Sequence, residues 1–227
     1  QVTISEFRAF LAETARWADQ ADMSSVLPRE ADGRLRSDVF DELAEPIMKK
    51  GAEYFVWLEE EGSRIPEEDA VAHRNFAQTA LHPLLLRAPF VYRTFAKPLG
   101  YAGDYEMVNQ ILADPRQGNS TYFQIINAFF LKAAVAQAHR NRIDILVEFL
   151  QRAAATARSQ GRPMRILNIG CGPAVELQRL IASGAAVDLG KAMAQWPLPA
   201  WLAPWVDVTA FKAAQQFVVA ALEWLRD

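Results

Sequence analysis

The run Arg165-Ile166-Leu167-Asn168-Ile169-Gly170-Cys171-Gly172-Pro173-Ala174-Val175-Glu176 decides how the chain is read. A short β-prone apolar segment meets a Gly-x-Gly turn, and a helical pattern carrying Val175, Leu177, Leu180 and Ile181 follows at once. Strand, tight turn and helix start therefore come in direct succession. The glycines permit positive φ and a close approach of the backbone to a ligand. The first N–H groups of the following helix have no partners inside it and can face polar groups of a nucleotide-like molecule. The same turn also occurs for purely structural reasons, as a simple βα connection.

Working upstream, the chain reads as helices. Thr3-Ile4-Ser5-Glu6 has the form of a capping box. Ile4, Phe7, Phe10, Leu11, Thr14 and Trp17 then recur at helical spacing to about residue 20. Residues 22–37, with Pro28 and Gly33, read as a loop. Ser37 is placed to cap a helix bearing Val39, Phe40, Leu43 and Ile47, which Pro46 should kink or restart before Gly62. Pro66 with Glu67, Glu68 and Asp69 opens another helix, expected to stop near His82-Pro83. Leu84-Leu85-Leu86, Pro89 and Phe90 through Phe95 form a further apolar piece. Asp104 is placed to cap a short helix with Met107, Val108, Ile111 and Leu112. Asp114 to Asn119 reads as a loop. From Ser120 to about Arg158 runs the longest helical pattern, expected to break near His139–Asn141 and to stop at Gly161-Arg162-Pro163.

Downstream of the turn, Gly184-Ala185-Ala186-Val187-Asp188-Leu189 is a candidate second strand. Residues 196–206 interleave Trp196, Trp201 and Trp205 with Pro197, Pro199 and Pro204, which suits neither helix nor central strand. Asp207 or Thr209 caps a last helical pattern through Phe211, Phe217, Val218, Leu222 and Leu225. The expected fold is thus mostly α: a helical domain over residues 1–160, then a partial Rossmann-like α/β segment over residues 161–227.

Composition narrows the function classes. The 227 residues are 51% hydrophobic and 22% charged, ordinary for a globular protein. The formal net charge of -3, with basic residues scattered, gives no reason to expect nucleic acid. A single cysteine, Cys171, excludes an internal disulfide and a cysteine-cluster zinc site. His73, His82 and His139 lie far apart, without metal-ligand spacing, so no metal is expected. No stretch approaches about 18 uninterrupted apolar residues, so no membrane span is expected. The start, Gln-Val-Thr-Ile-Ser, has no basic region leading into an apolar one and does not read as a signal peptide. It has no initiator Met either, as expected of a processed piece, and a cytoplasmic location is expected.

The 167–173 turn resembles the first motif of class I S-adenosylmethionine-dependent methyltransferases, in which an apolar strand and usually an acidic residue precede Gly-x-Gly-x-Gly. Asn168 stands at the acidic place and Ala174 at the third glycine. The first change makes a charged ligand contact neutral; the second is sterically mild. Arg93-Thr94-Phe95-Ala96-Lys97-Pro98-Leu99-Gly100-Tyr101-Ala102-Gly103-Asp104-Tyr105, ahead of that turn, is similar to a bacterial subgroup of these enzymes. Members of the subgroup carry a helical region before the methyltransferase core and include makers of fatty-acid methyl-ester signals. The likeness covers roughly residues 85–182.

The resemblance implies S-adenosylmethionine as cofactor and a small-molecule or acyl acceptor. It implies that Asn168, Gly170, Cys171, Gly172 and Pro173 hold the cofactor. It further implies that Tyr101, Gly103 and Asp104 line or cover the pocket, where Tyr101 and Tyr105 offer aromatic faces to a sulfonium. The alternative for that loop is tyrosines filling the core and Asp104 capping a helix. Asp188, after the candidate second strand and about 20 residues past the turn, is in register to accept ribose hydroxyls. It is otherwise a surface or capping acid. Cys171 has no recognisable His/Asp partner set and reads as a small residue the turn requires. His139, Arg140 and Arg142 read as a solvated helix face.

A class I core needs about seven strands, and each βα repeat takes roughly 25–30 residues. Residues 173–227 hold one or two repeats. A shortened core, or one completed by a second copy or a partner chain, is therefore expected. The reading from another functional class is a non-catalytic helical binding or scaffolding module with the Trp-rich segment as its interface. An NAD-dependent protein is the third reading; the absent third glycine and short second strand weigh against it.

Overall fold

The computed structural model describes residues 1–99, 105–162, 164, 166 and 172–183. Among them are eight helices and no strand: α1 Val2–Met23, α2 Ser37–Gly62, α3 Glu67–Leu85, α4 Pro89–Ala96, α5 Tyr105–Leu112, α6 Thr121–Leu131, α7 Ala134–Ser159 and α8 Val175–Ala182. The chain divides into two compact units, Gln1–Arg140 and Asn141–Asp227. The mostly-α expectation therefore stands. The strand expected over 165–169 and everything from residue 184 onward, including the second strand and the Trp-rich segment, lie outside the described residues.

The first unit is organised around α6, whose sequence Thr-Tyr-Phe-Gln-Ile-Ile-Asn-Ala-Phe-Phe-Leu is apolar on every side. A helix with no polar face has no stable place at a surface. Nine of its eleven residues are accordingly buried. One flank packs with the stripe of α1 (Ile4, Phe7, Leu11) and with Leu81 and Val91. Its other flank, Ile125 and Ala128, meets Leu35, Phe40, Ala44 and Met48. The period read from α1 thus faces the core, although Trp17 at the end of that stripe is 39% exposed. On α2 the buried set is Phe40, Ala44, Met48 and Gly51, with Leu43 and Ile47 only partly covered. α2 packs against α6 at Gly51, where a Cβ would make an ordinary contact with the Phe129 ring at 3.6 Å. A crevice of about 20 Å³ remains between them, lined by Phe7, Leu11, Met48, Phe55, Ile125 and Phe129 among others, all apolar. Ligand pockets run to roughly 300–1,000 Å³, so this space is a packing void.

Polar contacts fix both ends of the buried helix. Ser120, where the longest helical pattern was expected to begin, is the N-cap residue of α6, and its hydroxyl accepts from Phe123 N at 3.4 Å. The Asp22 carboxylate, at the end of α1, accepts from Thr121 N at 3.0 Å and from the Thr121 hydroxyl. That negative charge also sits at the positive end of the α6 dipole. Arg29 in turn donates to the Ala21 and Asp22 carbonyls at 3.0 and 2.8 Å, satisfying acceptors that the end of α1 leaves open. In the middle of α6, Asn127 is 1% exposed. Its Oδ1 accepts from Phe90 N at 2.8 Å, in the first turn of α4, and its Nδ2 donates to the Pro115 carbonyl at 2.9 Å.

Several local expectations are corrected. The Thr3–Glu6 capping box does not form: α1 begins two residues earlier than that box would place it, its N-cap Gln1 makes no side-chain bond, and Thr3 is buried within the helix. Ser37 is already the first residue of α2 and supplies no cap. Pro46 neither ends nor restarts α2, and Pro83 does not stop α3, which continues to Leu85. In both cases buried residues close to the proline, Ala44 and Met48 in one helix and Leu81 in the other, hold the helix to the core, and packing outweighs one lost backbone bond. The long pattern after Ser120 breaks at Lys132-Ala133, not near His139–Asn141. Arg140 explains the placement: it donates to the Leu131 carbonyl and to the Ile111 carbonyl, each at 2.9 Å, closing the ends of α6 and α5. It is therefore no solvated face, and the neighbouring His139 has its Nδ1 buried without a hydrogen-bond partner.

The stop at Gly161 is as expected. Gly161 takes φ +63°, its N–H donates to the Arg158 carbonyl and Arg162 N donates to the Ala157 carbonyl, the paired bonds of a Schellman motif. In the second unit, Ile143, Ala154 and Ala157 of α7 and Leu177 and Leu180 of α8 are buried. Arg179 pairs with Asp144 at 2.7 Å.

An ion cluster joins the loop before α2 to the loop before α6. Arg116 binds Asp114 through Nε and Nη2 at 3.2 and 2.9 Å and reaches Glu30 at 2.8 Å. Arg34 reaches Asp114 at 3.0 Å and Asp32 at 2.7 Å. Burial pushes the Asp114 carboxyl up, but hydrogen bonds from Arg116 and Arg34 outweigh it and hold the carboxyl at about 2. Since an unfolded Asp titrates near 3.9, this contribution is full above about pH 4 and lost as pH falls toward 2. Asp114→Asn is expected to remove it, at a cost of about 1 kcal/mol at neutral pH after solvent screening. Urea unfolding at pH 7 and pH 2.5 should show the two proteins converging in acid. An equal gap at both values would mean the charge plays no part.

Candidate functional site

Of the residues expected to hold a cofactor, Gly172 and Pro173 fall among the described ones. Asn168, Gly170, Cys171 and Asp188 lie outside them, as do Tyr101, Gly103 and Asp104 of the upstream loop. The second unit therefore shows the helix side of the glycine turn.

There the backbone takes the left-handed region twice. Gly172 has φ +53° and Ala174 has φ +49°. Glycine adopts that region at no cost, whereas an L residue pays roughly 1–2 kcal/mol. Ala174, where the motif's third glycine would stand, thus occupies a conformation that glycine suits better. It is also the N-cap residue of α8, and its side chain bonds no helical N–H. Its carbonyl accepts from Leu177 N and Gln178 N, both at 3.0 Å, and Gln178 Nε2 donates to the Pro173 carbonyl at 2.7 Å. Glu176 lies in the first turn, where a carboxylate suits the dipole. The buried Leu177 and Leu180 and the Arg179–Asp144 pair keep α8 seated.

Opposite-signed effects are expected at Ala174. Ala174→Gly should stabilise the second unit by about 0.5 kcal/mol, relief of strain exceeding the added chain entropy. Ala174→Val should cost about 1–2 kcal/mol, because a β-branched side chain fits positive φ worst. Denaturant midpoints check both; a destabilised glycine variant would overturn the assignment.

In the first unit, residues 93–99 and 105 of the upstream motif are described, on either side of residues 100–104. α4 ends at Ala96 and is capped by Lys97, which has φ 46° and ψ 59° and donates its N–H to the Arg93 carbonyl at 3.0 Å. Phe95 lies edge-on to His82, with ring centroids 4.5 Å apart. Tyr92, Phe95, Leu99 and Tyr105 are each about half exposed, between 47% and 53%. Tyr105 opens α5. Tyr101, the other ring expected to face a sulfonium, lies outside the described residues.

Sequence reasoning passed over the buried polar groups of α6. Two amides, Gln124 and Asn127, in an otherwise apolar helix were the available signal. Gln124 Nε2 donates to the Gly118 carbonyl at 3.2 Å. The Tyr122 hydroxyl is buried without a partner, and burial pushes its pKa well up, leaving it neutral. No group of three or more His, Cys, Asp or Glu placed to hold a metal occurs among the described residues. No helix among them is long and apolar enough to cross a membrane.

Comparison with protein-family models, curated proteins and solved structures yields no match to this chain.

Proposed function

We propose that the chain is a class I S-adenosylmethionine-dependent methyltransferase, or part of one, acting on a small-molecule or acyl acceptor, with a Rossmann-like segment following the helical region. The observation that carries this reading is the positive φ at Gly172 and Ala174 directly before α8, in a sequence of apolar run, Gly-x-Gly and helix. Such a backbone can bring N–H groups toward a ligand at a helix start whose N-cap residue, Ala174, makes no side-chain cap bond. In this reading Asn168, Gly170, Cys171, Gly172 and Pro173 bind the methionine and ribose portions of the cofactor. Asp188 accepts the ribose hydroxyls. Tyr101, Gly103 and Asp104 line the other side. The cofactor supplies the activated methyl group; the protein contributes orientation and a dry pocket of suitable charge. No general base is assigned.

Isothermal titration with S-adenosylmethionine and S-adenosylhomocysteine tests the cofactor. Saturable binding is expected, weakened about tenfold or more, over 1.4 kcal/mol, by Gly172→Val. Absence of heat at millimolar ligand would overturn the reading.

A second reading is a non-catalytic helical binding module. Ile145 and Phe149 of α7, four residues apart on one face and 63% and 61% exposed, favour it. A strict monomer in light scattering, together with cofactor binding, would count against it.

A further inference from the structure

We draw no further inference here: the strongest candidate, the exposed apolar stripe of Ile145, Leu146 and Phe149 on the second half of α7, has nothing among the described residues to show what covers it.

Discussion

Gly118→Ala is expected to destabilise the first unit by about 3 kcal/mol, the sum of an overpacked contact and a backbone angle unsuited to L residues. Gly118 has φ +147°, and a Cβ there would stand 2.9 Å from both Gln124 N and the Phe123 carbonyl carbon. Both are backbone atoms in the first turn of α6, so no side-chain rotation relieves the clash. Either the loop moves away or α6 shifts along its axis. The loop is held by the Arg116–Asp114–Arg34 cluster, and the helix by Asp22 and Asn127. The Gly118 carbonyl also accepts from Gln124 Nε2, so displacement would strand a buried amide. Far-UV circular dichroism against urea should show the loss. A variant within about 0.5 kcal/mol of the parent would mean the loop backbone gives way freely.

Asn127→Ala is expected to cost a similar amount, about 3 kcal/mol, because it removes one buried side chain and leaves two partly buried backbone groups without that partner. Phe90 N–H, at the start of α4, and the Pro115 carbonyl both lose their hydrogen bonds. Phe90 lies in the first turn of α4, two residues after the fully buried Ala88, where the helix itself supplies its N–H with no acceptor. Asn127→Asp distinguishes hydrogen bonding from shape. An ionised carboxylate still accepts from Phe90 N but offers the Pro115 carbonyl nothing, and it places a charge in the core. Its protonated form has both a donor and an acceptor. Burial raises the introduced carboxyl above the unfolded value, so the variant's deficit relative to the parent should grow with pH above about 4 and narrow below it. A deficit independent of pH would place the cost in packing instead.

These two positions show where reading the sequence ends. The amphipathic stripe of α1 and the Gly161 stop were legible because each is local: a period of 3.6, and a glycine past the last turn. The helix start at Ser120 was legible for the same reason. Pro83 was misjudged because its local penalty is real but smaller than what packing of the same helix returns. The break at Lys132-Ala133 was missed because it depends on Arg140 reaching back to the Leu131 and Ile111 carbonyls. No spacing rule encodes such a return.

For the candidate site the division is similar. The helix start at Val175 was legible in the chain's own residues, because the glycine-containing turn sequence and the apolar period after it are local signals. Placing Ala174 in the left-handed region required the backbone itself, because alanine carries no signature of positive φ. The alternation of apolar and polar residues told which face of α1 seeks burial. Which polar groups hold them together was a tertiary matter. Asp22 and Thr121 are 99 positions apart, and Arg34 and Asp114 are 80. Hydrogen bonds between such distant residues leave no periodic trace, and only folding brings their charges and dipoles within reach.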